Sequence, residues 1–151
     1  MKYEIVQLEK MTVVGISAKT SNNAPDMHTT IGGLWNDFYG KGIYQSIPDK
    51  TSGKAIELYT DYENEEKGDY TVMVACETKH TDNLPENMQS KVIPAGRYAK
   101  FIVKGNYITA CTEFWKELWQ MYLPRSFVCD FEEYQNSDLD NCEIHFYIGL
   151  K

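Results

Sequence analysis

Between residues 27 and 39 the apolar positions Ile31, Leu34, Trp35 and Phe38 recur at steps of three and four, which places one stripe on one helical face. Gly40 and Gly42 close that helix. A second stripe, Ile108, Cys111, Trp115, Leu118, Trp119 and Tyr122, predicts a helix over 107–122 that stops before Pro124. Elsewhere the period falls to two. Cys142, Ile144, Phe146, Ile148 and Leu150 alternate with Glu143, His145 and Tyr147, the signature of a half-buried final strand. Segments 55–62 and 69–77 flank the turn-like 64–68 and read as a hairpin, and 127–134 reads as a further strand. The opening stretch 3–18, rich in Val, Ile and Thr, is expected to form one long or bent strand, and within 91–104 Tyr98, Ala99, Phe101, Ile102 and Val103 form another after the Pro94 and Gly96 punctuation. The polar, aperiodic stretch 79–89 is a connector.

These elements spell strand, helix, strand, strand twice over. Repeat one covers about 1–78, a linker about 79–90 and repeat two about 91–151. The helix cores Leu34-Trp35-Asn36-Asp37-Phe38-Tyr39 and Leu118-Trp119-Gln120-Met121-Tyr122 share a local pattern. Two such units can bury together the faces that neither buries alone. The expectation is a single α+β domain over 1–151, with a mostly antiparallel sheet, two helices packed on one face, and a groove at the seam between repeats.

Composition narrows the class. At 151 residues, 42% hydrophobic and 25% charged, the chain can build a core without disulfides or metals. A net charge of -7 repels phosphate backbones, so no direct nucleic-acid partner is expected. No run approaches the length of a membrane span, and residues 1–14 lack a signal-peptide core, which points to the cytoplasm and to no membrane partner. Cys76, Cys111, Cys129 and Cys142 form no C-x-x-C pair and read as reduced, mostly buried thiols. His28, His80 and His145 share no ligand spacing, so neither a metal nor a cofactor is expected. Nucleophile-elbow, phosphate-loop and dinucleotide-loop signatures are absent as well.

The remaining chemistry is aromatic and acidic. Trp115, Trp119 and Tyr122 on one stripe, with Trp35 and Tyr39 in the first half, exceed what core filling requires, although any one of them alone is explained by packing. In the run Asp130-Phe131-Glu132-Glu133-Tyr134, strand alternation puts Glu132 with Val128 and Tyr134 on one face and Glu133 with Cys129 and Phe131 on the other. Only one of the two glutamates can enter a shared pocket, and the period leaves open which.

Four segments together resemble the GyrI-like small-molecule-binding proteins, the fold of the effector-binding domain in some AraC-type and MerR-type transcription regulators. They are Tyr3-Glu4-Ile5-Val6 through Val13-Val14-Gly15-Ile16, Ile93-Pro94-Ala95-Gly96-Arg97-Tyr98-Ala99, the Trp-rich second helix ending Leu123-Pro124, and Phe131-Glu132-Glu133-Tyr134. The resemblance implies that Glu132 points into the groove between repeats, where such regulators hold cationic, aromatic compounds. It implies further that Tyr59, Trp35, Trp115 and Trp119 border the pocket, with Tyr122 in place of another aromatic; Tyr39 and Tyr134 complete the candidate set. Regulators carry a DNA-binding segment ahead of this domain, whereas this sequence opens in the first strand, so the expectation is a stand-alone binder of a small organic ligand. The aromatic walls would come from both halves and the key carboxylate from the second half only. Two alternatives stand beside that reading. One is a hydrolase of electrophilic cyclopropane-type toxins with Glu132 as general base. The other is an acidic inhibitor of a protein partner.

Overall fold

The two apolar stripes become the two long helices of the computed structural model, which describes residues 1–151. The first long helix, α1 (Met27–Gly40), buries Leu34 and Phe38. A four-residue helix, α2 (Ile43–Ser46), follows; the sequence pattern did not predict it, and it starts from Gly42 at φ 73°, a conformation natural to glycine. The other long helix, α3 (Tyr107–Leu118), is started by Asn106, whose side chain accepts the N–H groups of Ile108 and Thr109 at 3.1 and 3.3 Å. It buries Ala110, Phe114 and Leu118. The helix ends short of the predicted Tyr122 because the backbone tightens, with Gln120 N–H on Glu117 and Met121 N–H on Leu118, ahead of Pro124.

The strands are β1 (Glu4–Leu8), β2 (Met11–Ser21), β3 (Lys50–Thr60), β4 (Asp69–Thr78), β5 (Gln89–Ile93), β6 (Gly96–Gly105), β7 (Arg125–Tyr134) and β8 (Cys142–Leu150). They form one sheet in the order β1-β6-β8-β7-β3-β4-β2-β5, and every pairing is antiparallel. The two predicted repeats are present as β2-α1-β3-β4 and β6-α3-β7-β8. Their strands run β6-β8-β7 and then β3-β4-β2, mirror orders that meet where β7 pairs with β3.

One sequence expectation needs correction. The opening segment is not one strand but two, broken at Glu9-Lys10, whereas β6 starts at Gly96, after the punctuation as expected, with the short β5 ahead of it across Pro94-Ala95. Each break lets consecutive strands reach different ends of the sheet: β1 pairs with β6 while β2 pairs with β4 and β5. A two-residue link spans only about 10 Å, yet it joins the first strand of the order to the seventh. The sheet must therefore curl until its ends approach.

The curl explains the core. On the inner face Val13, Ile56, Leu58, Met73, Ile93, Tyr98 and Phe131 bury one another without a helix. On the outer face α1 packs Leu34 and Phe38 on Val14, Val72, Val74 and Cys76, and α3 packs Phe114 and Leu118 on Phe101, Ile144, Phe146 and Ile148. Both long helices thus lie on one face of the sheet, as the sequence pattern predicts. Close strand contact fixes Gly15, where a Cβ would sit 1.9 Å from the carbonyl oxygen of Val74. No helix is long and apolar enough to cross a membrane.

Candidate functional site

At the seam β3 and β7 set Glu57 directly opposite Glu132, and β8 sets Phe146 beside Glu132. Directly opposed residues of an antiparallel pair project to the same face, so both carboxyls lie under the helices. Glu133, opposite Ile56, projects to the other face. The expectation of one carboxylate, from the second half only, is therefore incomplete. Its partner was readable as an echo: Glu57-Leu58-Tyr59 and Glu132-Glu133-Tyr134 occupy matching strands of the two repeats.

Both groups are sealed from solvent, Glu57 at 6% and Glu132 at 1% exposure. Trp35 Nε1 donates to Glu57 Oε1 at 2.6 Å. Tyr134 Oη donates to Glu132 Oε1 at 3.0 Å, and the Cys111 thiol approaches the same oxygen at 3.6 Å. Tyr59 Oη lies 2.6 Å from Glu132 Oε2 and also within hydrogen-bond reach of Glu57 Oε2. Arg125 is engaged elsewhere, on Asp130 of the same strand at 2.8 Å, and neither Glu57 nor Glu132 has a lysine, arginine or histidine partner.

Counting donors shows what this arrangement holds. A phenol carries one proton and can donate to one carboxylate at a time. With Tyr59 donating to one glutamate, the second contact is a hydrogen bond only when the other glutamate is protonated and donates to the phenol oxygen. A hydrogen-bonded chain through Tyr59 thus requires at least one proton on the pair. Burial raises the Glu132 carboxyl well above the ordinary carboxylate range, and the charge of Glu57 pushes it the same way. Burial also raises Glu57, while hydrogen bonds from Tyr59 and Trp35 pull it back. Burial, then the neighbouring carboxylates, lifts the phenols of Tyr59 and Tyr134 well above their usual range, so both stay protonated donors.

Aromatic rings roof the pair symmetrically. Trp35, on the first helix, meets Tyr134 of the second repeat edge-on at 5.0 Å between centroids, and Trp115, on α3, meets Tyr59 of the first repeat edge-on at 5.4 Å. The contacts and burial match Leu34-Trp35 with Phe114-Trp115, one helical turn earlier than the Trp119 core that the sequence pattern aligned. Trp119 and Tyr39 then stand at the outer ends, each about half exposed, 6.3 Å from Trp115 and 6.1 Å from Trp35. Tyr122 lies past the end of α3, fully exposed, and is not brought to the cluster. The structure thus gathers Glu132, Tyr59, Tyr134, Trp35 and Trp115, leaves Tyr39 and Trp119 at the margin, and adds Glu57 and Cys111. The thiol of Cys111, pushed upward by burial and then by the two carboxylates, is held as a neutral donor.

A curled antiparallel sheet of two like repeats under paired helices is the fold of effector-binding domains related to transcription regulators. The profile of the Cass2 family, integron-associated effector-binding proteins, matches residues 4–150, and the chain belongs to that family and shares the GyrI-like fold. YobU of Bacillus subtilis (strain 168), a protein named for transcriptional regulation, is 31% identical over 97% of this chain and 96% of its own length. Two solved structures share the fold. The integron cassette protein of Vibrio cholerae aligns with TM-score 0.76 and 24% identity over 97% of this chain and 95% of that one. SAV2435 bound to tetraphenylphosphonium aligns with TM-score 0.81 and 20% identity over 100% and 94%.

Proposed function

We propose that the chain binds a bulky or flat organic cation at the seam, with the Glu57–Glu132 pair as counter-charge and Trp35, Trp115, Tyr59 and Tyr134 as walls. The observation that carries this reading is a buried acidic pair with no cationic side chain beside it. Breaking a buried ion pair so that one charge stays unmatched costs about 3–5 kcal/mol. An acidic pair left without a protein cation is a feature that an incoming cation would complete. The aromatic roof fits the same ligand, since cation–π contact contributes about 0.5–2 kcal/mol. That SAV2435, a protein of this fold, is bound to tetraphenylphosphonium supports the ligand class.

Admission requires the roof to part, because the carboxyls are closed over. Burying roughly 200 Å² of apolar ligand surface contributes about 5 kcal/mol at 25 cal/mol per Å². One charge at about 4 Å adds up to about 4 kcal/mol at an effective dielectric of 20, before desolvation. Apolar and stacking contact sets the strength of binding, and the carboxyl pair sets the preference for charge. Equilibrium dialysis of tetraphenylphosphonium against neutral triphenylphosphine oxide tests this. Glu132→Gln is expected to weaken the cation about ten- to a hundredfold, roughly 1.4–2.7 kcal/mol, and to leave the neutral compound within about twofold. Equal losses for both would defeat the charge-selection reading.

The raised Glu132 carboxyl also favours a second reading, the hydrolase with Glu132 as general base. Its two oxygens are already hydrogen-bonded to Tyr59, Tyr134 and Cys111, which leaves water a poor place beside it. Incubation with cyclopropane-bearing electrophiles, followed by mass spectrometry, separates the two. Ring-opened product that disappears in Glu132→Gln would favour catalysis over binding.

A further inference from the structure

The proton count at Tyr59 gives the site a property beyond charge preference. We infer that the seam is a proton–cation exchanger: the empty pair is held together by one bound proton, and an arriving organic monocation displaces that proton into solvent. The inference rests on the cation-binding reading and adds what leaves when the ligand enters.

The geometry behind it is the single phenol between two acidic groups. Glu57 and Glu132 face each other in register and both reach Tyr59 Oη, which has one hydrogen to give. The second hydrogen of this three-group chain must come from a carboxyl. Once a cation lies beside the pair, its charge favours ionisation of both glutamates, as any opposite charge within about 4–6 Å does. The protonated carboxyl then loses its hydrogen, and the protein releases one proton for each cation taken up. No covalent bond is made or broken apart from that O–H bond, and charge balances: a monoanionic pair plus a cation becomes a dianionic pair plus a cation and a free proton.

Nothing else at the seam competes for this role. From β3 the pair is faced by Tyr59, from β7 by Tyr134, and from β4 by Tyr70, whose ring packs on Tyr59. From α1 it is faced by Trp35, with Tyr39 beyond it, and from α3 by Cys111 and Trp115. Strand β8 contributes Phe146. Burial pushes the Tyr70 phenol up to about 12, and the other phenols and the thiol are raised as well, so all remain protonated at neutral pH. No lysine, arginine or histidine is among the groups that perturb either glutamate. The acidic pair is the one element of the seam left to titrate.

Calorimetry on the intact chain tests the exchange. Tetraphenylphosphonium is titrated at one pH in two buffers of different ionisation enthalpy, and the difference in heat counts protons. About one proton released per cation is expected, with none for neutral triphenylphosphine oxide. Below the upper titration of the pair, Kd should fall about tenfold for each unit rise in pH, and level off above it. Infrared spectra of the free protein near neutral pH supply a ligand-independent reading: a protonated carboxyl stretch present in the native chain and lost in Glu132→Gln. Tight binding of the cation with no proton release and a flat pH profile would overturn the exchange and leave cation binding standing. Equal proton release by the neutral compound would overturn it too. Failure of tetraphenylphosphonium to bind at any pH would overturn the cation-binding reading, and the exchange with it.

Discussion

Replacing Glu132 by glutamine should make the protein more stable, and the size of the gain should depend on pH. The carboxyl is 1% exposed and raised well above its ordinary range by burial and by Glu57. Each unit by which a folded-state carboxyl lies above its unfolded value of about 4.3 disfavours the ionised form by about 1.36 kcal/mol. With a folded pKa above the unfolded one, the folded state binds more protons in the interval between them. Stability from this group is full below the unfolded value and is lost as pH rises through the folded one. Glutamine has no such slope. Its amide can donate to Tyr59 Oη, Tyr59 can donate to Glu57, and its carbonyl can accept from Tyr134, which reproduces the hydrogen bonds of the protonated pair. A gain on the order of 1–3 kcal/mol at pH 8 is expected, the usual cost of a buried polar group left poorly satisfied, or roughly 2–12 °C in Tm at this chain length. At pH 5 the gain should shrink toward zero. Thermal unfolding by circular dichroism from pH 5 to 8 reads both. A variant less stable than the native chain at pH 8, or a gain that does not grow with pH, would show that Glu132 is not a buried charge the fold resists.

Two further perturbations probe the scaffold. Trp35→Phe keeps a ring at the roof but removes the N–H that Glu57 Oε1 accepts at 2.6 Å. Leaving a buried acceptor short of its donor should cost about 1–3 kcal/mol near neutral pH, seen as a lower urea midpoint with an unchanged slope. Gly15→Ala drives a Cβ into the backbone of β4. Overpacking of this kind costs about 1–3 kcal/mol or more, and loss of soluble, cooperatively unfolding protein is expected; a native-like Tm would show that the strands can part there.

Much of the architecture was legible because periodicity reports burial. The alternation from Cys142 to Leu150 predicted β8 to the residue, and the Leu34 and Phe38 spacing predicted the buried face of α1. Periodicity carries no information on which strand pairs with which. The break at Glu9-Lys10 is short and contains no long turn, so β1 with β2 reads as one strand, while Pro94 and Gly96 mark the start of β6 without revealing β5 before them. Only the swapped pairing at the two ends of the sheet reveals the purpose of both breaks. The three- and four-residue steps continue past Leu118 to Tyr122, but the tightened backbone there takes the side chain out to solvent. Glu57 escapes the pattern for a different reason. Its strand is buried on both faces, with Ile56 and Leu58 on one and Ala55 and Tyr59 on the other, so alternation gives no hint that a charge lies inward. The repeated Glu-x-Tyr phrase was the available signal, and it becomes visible only when the repeats are laid strand on strand.

A crystal structure of the chain with tetraphenylphosphonium would test the acidic seam as a cation site most directly. The phosphonium centre is expected beside Glu57 and Glu132, within about 6 Å of the ring centroid of Trp35 or Trp115, with the Trp35–Tyr134 and Tyr59–Trp115 edge contacts opened. Cation density confined to the outer surface, with those contacts intact and the carboxyl pair still closed over, would contradict it.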